Sequence, residues 1–329
     1  MSQTVFRNLL CGGIAAASIF QNTSFASHDH TAGADAPIGI MDSHVHPEGS
    51  WMMSYSVMQM TMKDNLDGAD RASVPLPGYM VSPLSMDMTM HMLGLMYGYT
   101  DRLTLMIMLP VKNYSMENMV NMSGDLFTAE SSGAGDLSLS ALYKASDNWV
   151  SKIGISVPTG SIDEKDVLPS SGGNAVQLPY PMQQGSGSFD ITAAASYLKN
   201  KNMNSWGSQA EAVIRLNDND RDYRLGNQIE LNGWYSYGLS MKSSLSLRVK
   251  LLSWGNIRGA DVALNPGAVP TADSKLRAGT RADVLLGFNY NLSSDVLIGV
   301  EAGIPVYQKL DGPQLETDLV MQLGLQYSL

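Results

Sequence analysis

Cysteine is all but missing from this chain. Its one example, Cys11, sits in an N-terminal stretch with the marks of an export signal. Arg7 gives the positive start, Leu9 to Phe20 an apolar run, and Ser24-Phe25-Ala26 a small-x-small cleavage site. Cleavage after Ala26 leaves a mature chain of about 303 residues without a thiol. That excludes disulfides, thiolate metal sites and cysteine nucleophiles. Leu10, before the cysteine, is not a small residue, so no lipoprotein signal is read. Long hydrophobic runs are absent too, and no later stretch offers the roughly 20 apolar residues of a membrane helix. Basic residues are scarce, 21 against 31 acidic ones, a net charge of −10. A nucleic-acid surface needs clustered Lys and Arg, so no nucleic-acid partner is expected.

Methionine is abundant, and unevenly placed. Seventeen of the 22 lie between Met41 and Met122, against four in the 207 residues that follow. Many occupy every second position: Met58, Met60, Met62; Met86, Met88, Met90, Met92, Met96; Met106, Met108. A period of two belongs to a β-strand, whose alternate side chains share one face.

The remaining chain is also built of short alternating segments, which fits a transmembrane barrel or a soluble secreted β-sandwich. Connection lengths favour the barrel. Short turns fall near Thr100–Arg102, Ser146–Asn148, Lys199–Met203, Ser240–Ser243 and Asn291–Asp295. Long polar loops fall near Lys63–Ser85, Asn113–Gly133, Thr159–Ser186, Asn217–Asn227, Gly255–Gly279 and Gln308–Leu315. Eleven connections predict twelve strands, with short turns at the periplasmic end and long loops outside. Trp51, Tyr97, Tyr99, Tyr143, Trp149, Tyr197, Trp206, Tyr237, Tyr290 and Tyr327 all fall near the short-turn end, as an interfacial girdle requires. The expectation is an all-β, up-and-down antiparallel barrel of about twelve strands in the outer membrane of a Gram-negative cell. Residues 1–26 are read as the signal peptide, 27–48 as a flexible His-containing segment, and 49–329 as the barrel.

Individual strands fix the phase. Leu245, Leu247, Val249 and Leu251 alternate with Ser246, Arg248 and Lys250. A charge on the lipid face costs about 2–4 kcal/mol, so Lys144, Arg248 and Lys250 should face the lumen. The final Gln322-x-Gly324-x-x-Tyr327-x-Leu329 resembles the signal read by barrel-assembly machinery, with Leu where Phe is usual.

Three motifs carry a family resemblance: Gly154-Ile155-Ser156-Val157-Pro158-Thr159-Gly160, Gly187-Ser188-Phe189-Asp190, and Glu301-Ala302-Gly303-Ile304-Pro305-Val306-Tyr307-Gln308 with Asp311-Gly312-Pro313-Gln314-Leu315. From about Trp51 to Leu329 the chain resembles the outer-membrane "MetA-pathway of phenol degradation" (transporter) family. The resemblance implies an outer-membrane barrel that passes small solutes. The methionine-rich front end resembles a copper-associated subgroup.

In the predicted phase Leu93, Leu95, Tyr97 and Tyr99 face lipid, while Met86 to Met96 and Met58 to Met62 face the lumen with Met106 and Met108. Three readings follow. The thioethers suit Cu(I), which they bind without losing a proton, and a row of weak sites would pass a soft ion along. Alternatively they form an apolar path for small hydrophobic or aromatic molecules. The third reading is packing alone, Met serving as a flexible filler. Metal binding without transport is a further possibility, and no cofactor is required; copper would be the transported or bound ion. Met116-x-x-Met119-x-x-Met122 is placed in an extracellular loop that would collect Cu(I). His28, Asp29 and His30, and His44 with His46, are placed at the periplasmic end, where imidazole suits Cu(II) or Zn. His91 reads as a surface residue above the lipid band. No enzyme is expected. A nucleophile would be Ser or Thr with His91 as base, and no Gly-x-Ser-x-Gly or His-Glu-x-x-His pattern is found.

Overall fold

The computed structural model describes residues 36–329; the predicted signal and the His28-Asp29-His30 cluster lie outside the described residues. The strands are β1 (Trp51–Gly68), β2 (Val81–Thr100), β3 (Leu103–Val120), β4 (Leu126–Ala134), β5 (Leu137–Lys144), β6 (Trp149–Val157), β7 (Asp190–Lys201), β8 (Asn204–Arg215), β9 (Gln228–Ser240), β10 (Ser243–Trp254), β11 (Gly279–Asn291) and β12 (Val296–Ser328). Eleven of them close one antiparallel ring, in chain order, with β12 returning to β1; β4 and the short Asp70–Ala72 pair outside it. β4 and β5 both pair with β3, one above the other, and form a single stave broken at Gly135 and Asp136.

The strand β12 makes two staves. Residues 297–310 pair with β11, and residues 310–328 pair with β1. Because neighbours are antiparallel all round, its two halves must run in opposite directions. The reversal falls after Leu310, held by Gln308 and Thr317, which exchange two bonds of 2.9 Å. The ring therefore has twelve staves, matching the count from connection lengths.

Lipid-facing positions are those predicted. Leu93, Leu105, Ile107, Leu245, Leu247 and Val249 are exposed on the outside. At the short-turn end Trp51 packs on Tyr97 with centroids 4.6 Å apart, and Tyr197 lies between Trp149 and Trp206 at 5.2 and 5.3 Å. Aromatic rings at this level suit the membrane–water boundary. Leu286, 67% exposed in the middle of the outer face of β11, reports on the band directly. Leu286→Arg is expected to cost about 2–4 kcal/mol in a lipid-bilayer unfolding titration, and a loss near zero would mean this face does not meet acyl chains.

Two predicted loops are corrected. β1 continues to Gly68, and β3 continues to Val120 with β4 resuming at Leu126, whereas the predicted Gln308–Leu315 connection falls at the reversal within β12. The reason is physical. β1, β2 and β3 have 18, 20 and 18 residues, whereas a bilayer needs about 9–11 per strand. Past the band their outward positions turn polar (Gln59, Thr61, Lys63; Asp87, Thr89; Asn113, Ser115, Glu117), so a strand wet on its outer face reads as a loop. His91 lies at this level, its Nδ1 2.8 Å from the Tyr55 hydroxyl.

Candidate functional site

Register sets the inner face of β1–β3 in six rows: Met52–Met96–Met106, Ser54–Gly94–Met108, Ser56–Met92–Pro110, Met58–Met90–Lys112, Met60–Met88–Tyr114 and Met62–Met86–Met116. Two clusters anchor this wall. At the periplasmic end Met52, Met96 and Met106 pack with Leu142 and Val150. At the extracellular end Met86 and Met116 pack with Tyr114 and Ala129 of the wall and with Leu178 and Met182 of the long loop after β6; Met62 and Met88 lie against them. The Met60 thioether accepts from Arg281 Nη1 at 3.9 Å and from the Thr317 hydroxyl at 3.8 Å. The methionines predicted for the lumen face, from Met58 to Met108, thus share one surface inside the ring.

The expected loop triad does not form. Met116 is buried on the inner face of β3, Met119 lies on the opposite face of the same strand, and Met122 sits fully exposed in the turn. A spacing of three on a strand sends neighbours to opposite faces. His44 and His46 have ring centroids 5.0 Å apart, beside a small periplasmic cavity that Met52 and Asp295 also line. Among the described residues no group of three or more His, Cys, Asp or Glu is placed to hold a metal ion.

Facing the thioethers is a charged wall whose members are matched. Arg248, 4% exposed, donates to Glu301, 1% exposed, through Nε at 2.9 Å and Nη2 at 2.6 Å, and its Nη1 reaches Asn232 Oδ1 at 3.2 Å. Lys250 pairs with Glu230 at 3.3 Å, and Arg281 with Asp283 at 2.9 Å. Lys144 lies at the rim, bonded to Asp147 of its own turn at 3.0 Å.

Residues 36–48 cross the periplasmic third of this lumen. Asp42 is the hub: its carboxylate pairs with Lys152 and accepts from Gln209 Nε2 at 2.5 Å, while Lys152 also bonds Glu211 at 2.5 Å. Ile40 and Ala36 pack on Trp234, and Met41 and Val45 on the periplasmic methionine cluster. The Ala36 carbonyl accepts from Asn289 at 3.0 Å, and His46 N donates to the Thr104 hydroxyl at 2.8 Å. Two glycines let the segment lie close. A Cβ on Gly39 would sit 2.4 Å from Arg248 Nη2, and one on Gly98 would sit 1.8 Å from the Pro47 carbonyl oxygen. The sequence offered no signal for this lining of the lumen beyond the mixed apolar and acidic character of the segment.

Among solved structures, an outer membrane channel from Pseudomonas putida F1 superimposes with a TM-score of 0.64 at 15% identity, over 88% of this chain and 99% of that one. The translocator domain of the autotransporter NalP from Neisseria meningitidis matches at 0.48 and 11%, over 86% and 89% of the two chains. The CymD monoaromatic hydrocarbon channel matches at 0.43 and 9%, over 86% and 89%. Only the first of these supports a comparison of fold. The search of curated proteins returned no match. A family model covers residues 69–309, and by that match the chain belongs to the family described as "Putative MetA-pathway of phenol degradation".

Proposed function

We propose that the barrel is an outer-membrane conduit for small hydrophobic or aromatic compounds, which travel along the methionine wall. The observation that carries this reading is the lumen's division into two walls. One is a ladder of thioethers spanning most of the ring's height. The other bears charges, but each is engaged by an opposite one, with Lys152 serving both Asp42 and Glu211, which leaves little unspent attraction for a passing ion. Methionine suits loosely fitting apolar cargo because its unbranched chain adapts to different shapes. Catalysis has no role in this reading.

The test is uptake of a labelled monoaromatic into vesicles with a lipopolysaccharide outer leaflet. The barrel should raise the rate, and Met58→Asp with Met90→Asp should lower it at least about tenfold, equivalent to about 1.4 kcal/mol. Equal rates with and without the barrel would remove the proposal.

A second reading, a path for Cu(I), is favoured by the direct facing of Met58 with Met90, Met60 with Met88 and Met62 with Met86. Replacing Met88, Met90, Met106 and Met108 by leucine keeps the apolar surface and removes sulfur. Monoaromatic uptake that survives this change, with no Cu(I) binding in the parent, supports the first reading. Cu(I) binding in the parent that is lost in the variant supports the second.

A further inference from the structure

Above the thioether wall, on the extracellular side, lies a cavity of about 340 Å³ between the loops that follow β6, β8 and β10. That size is at the small end for a specific small-molecule site. Lys112, Arg215 and Arg277 line it, and Asp136 is the only carboxylate among the lining residues. Asp136 is already occupied, accepting from the backbone N–H groups of Gly160 at 2.9 Å and Ser186 at 2.7 Å and from the Ser186 hydroxyl at 2.8 Å. The cations are less well served. Lys112 Nζ donates to the Gln184 carbonyl at 2.7 Å. Arg215 pairs with Asp190, yet its Nε is buried without a hydrogen-bond partner. Arg277 Nη1 is likewise buried and partnerless. Burial pulls the Arg277 guanidinium down to about 10, with Asp273 acting against that, so it is still charged at neutral pH.

A buried cation with unused donors is costly unless an anion meets it. In the lumen Arg248, Lys250, Arg281 and Lys152 each have a carboxylate partner, whereas among the residues lining this cavity three cations meet one carboxylate. The remaining lining mixes polar Gln183, Gln228 and Ser186 with apolar groups, and places Tyr114, Tyr180 and Trp254 around the same space. Lys112 and Tyr114 also stand in the rows of Met90 and Met88, so the cavity shares these two residues with the inner face that carries the thioether ladder.

We infer that this cavity is a binding site for a small organic anion with an aromatic body, an aromatic carboxylate, whose carboxylate meets Arg277, Arg215 and Lys112. The carboxylate would take a donor that now has none, and the ring would lie among Tyr114, Tyr180 and Trp254. This deepens the conduit reading, on which it rests, by naming the charge its cargo carries on entry.

The test is calorimetric titration of the full-length barrel in lipid nanodiscs at pH 7, with benzoate, benzyl alcohol and inorganic phosphate as probes. Benzoate should bind saturably, and at least about tenfold tighter than benzyl alcohol, the worth of one charge-assisted hydrogen bond. Arg277→Gln, and separately Lys112→Met, should each weaken benzoate by a similar factor, with folding of each variant verified by heat-modifiable gel mobility. Benzoate no tighter than benzyl alcohol, phosphate as tight as benzoate, or unchanged affinity in both folded variants would each overturn the inference. If neither variant folds, the benzoate-to-benzyl-alcohol ratio in the parent decides. Uptake of the neutral monoaromatic is measured in parallel. Uptake without benzoate binding removes this inference alone, and benzoate binding without uptake removes the conduit.

Discussion

Arg248→Met destabilises the barrel by about 3–5 kcal/mol, the cost of stranding a buried carboxylate whose partner is gone. Glu301 is all but inaccessible, and both its oxygens are spent on Arg248. Across the ladder it faces Gly287 on β11, which offers no second cation. The pairing is also structural for the lumen segment, because Gly39 lies against both side chains. A reversible urea titration in lipid vesicles gives the number directly. Adding Glu301→Met should restore most of the loss, since replacing both members of a buried pair with apolar residues is often near neutral. A single-variant loss below about 1 kcal/mol would mean the pair behaves like an exposed one, worth about 0–1 kcal/mol.

Deleting residues 36–48 turns a narrow pore into a wide one. A ring of twelve staves has a lumen that side chains alone do not fill, and this segment occupies its periplasmic third. Single-channel conductance should rise several-fold in the deletion. Two point variants ask whether the anchors seen here hold the segment. Lys152→Met leaves Asp42 and Glu211 facing each other without a cation, and should release the segment part of the time. Gly98→Val sets a side chain where the Pro47 carbonyl lies, and should displace the segment's base. Both should show frequent opening to the conductance of the deletion. If the deletion conducts like the parent, residues 36–48 do not obstruct the pore.

Much of this architecture was legible in the sequence, because a strand's period of two is a short-range signal. Met86 to Met96 needed only their own spacing to declare a face, and Arg248 and Lys250 declared theirs by the cost of charge in lipid. The twelve staves followed from turn lengths. What failed did so where the solvent changed along a strand. Asn113, Ser115 and Glu117 are polar because they stand above the bilayer, and the same polarity suggested a loop that placed Met116 and Met119 wrongly. The contacts of Asp42 with Lys152 and Gln209 were out of reach, since they join residues more than a hundred positions apart with no pattern to announce them. Arg277 was missed for a related reason: it sits in an irregular loop, and only the enclosing fold makes its charge unusual.

The ladder that completes the ring is the one between β1 and β12, where Met52 faces Ser328. Trp51 and Leu329 seal its end with bonds of 3.3 and 2.8 Å, each residue's N–H donating to the other's carbonyl. The two edges joined there are the first and last pieces of the barrel to be synthesised. No partial chain can finish the seam, and until it closes both edges carry open rows of N–H and C=O groups, a template for pairing with other chains. Contacts of such high sequence separation make folding slow. The hazardous interval for this protein is therefore the time between emergence of β1 and arrival of its partner, and a chain truncated before Val296 would never leave it.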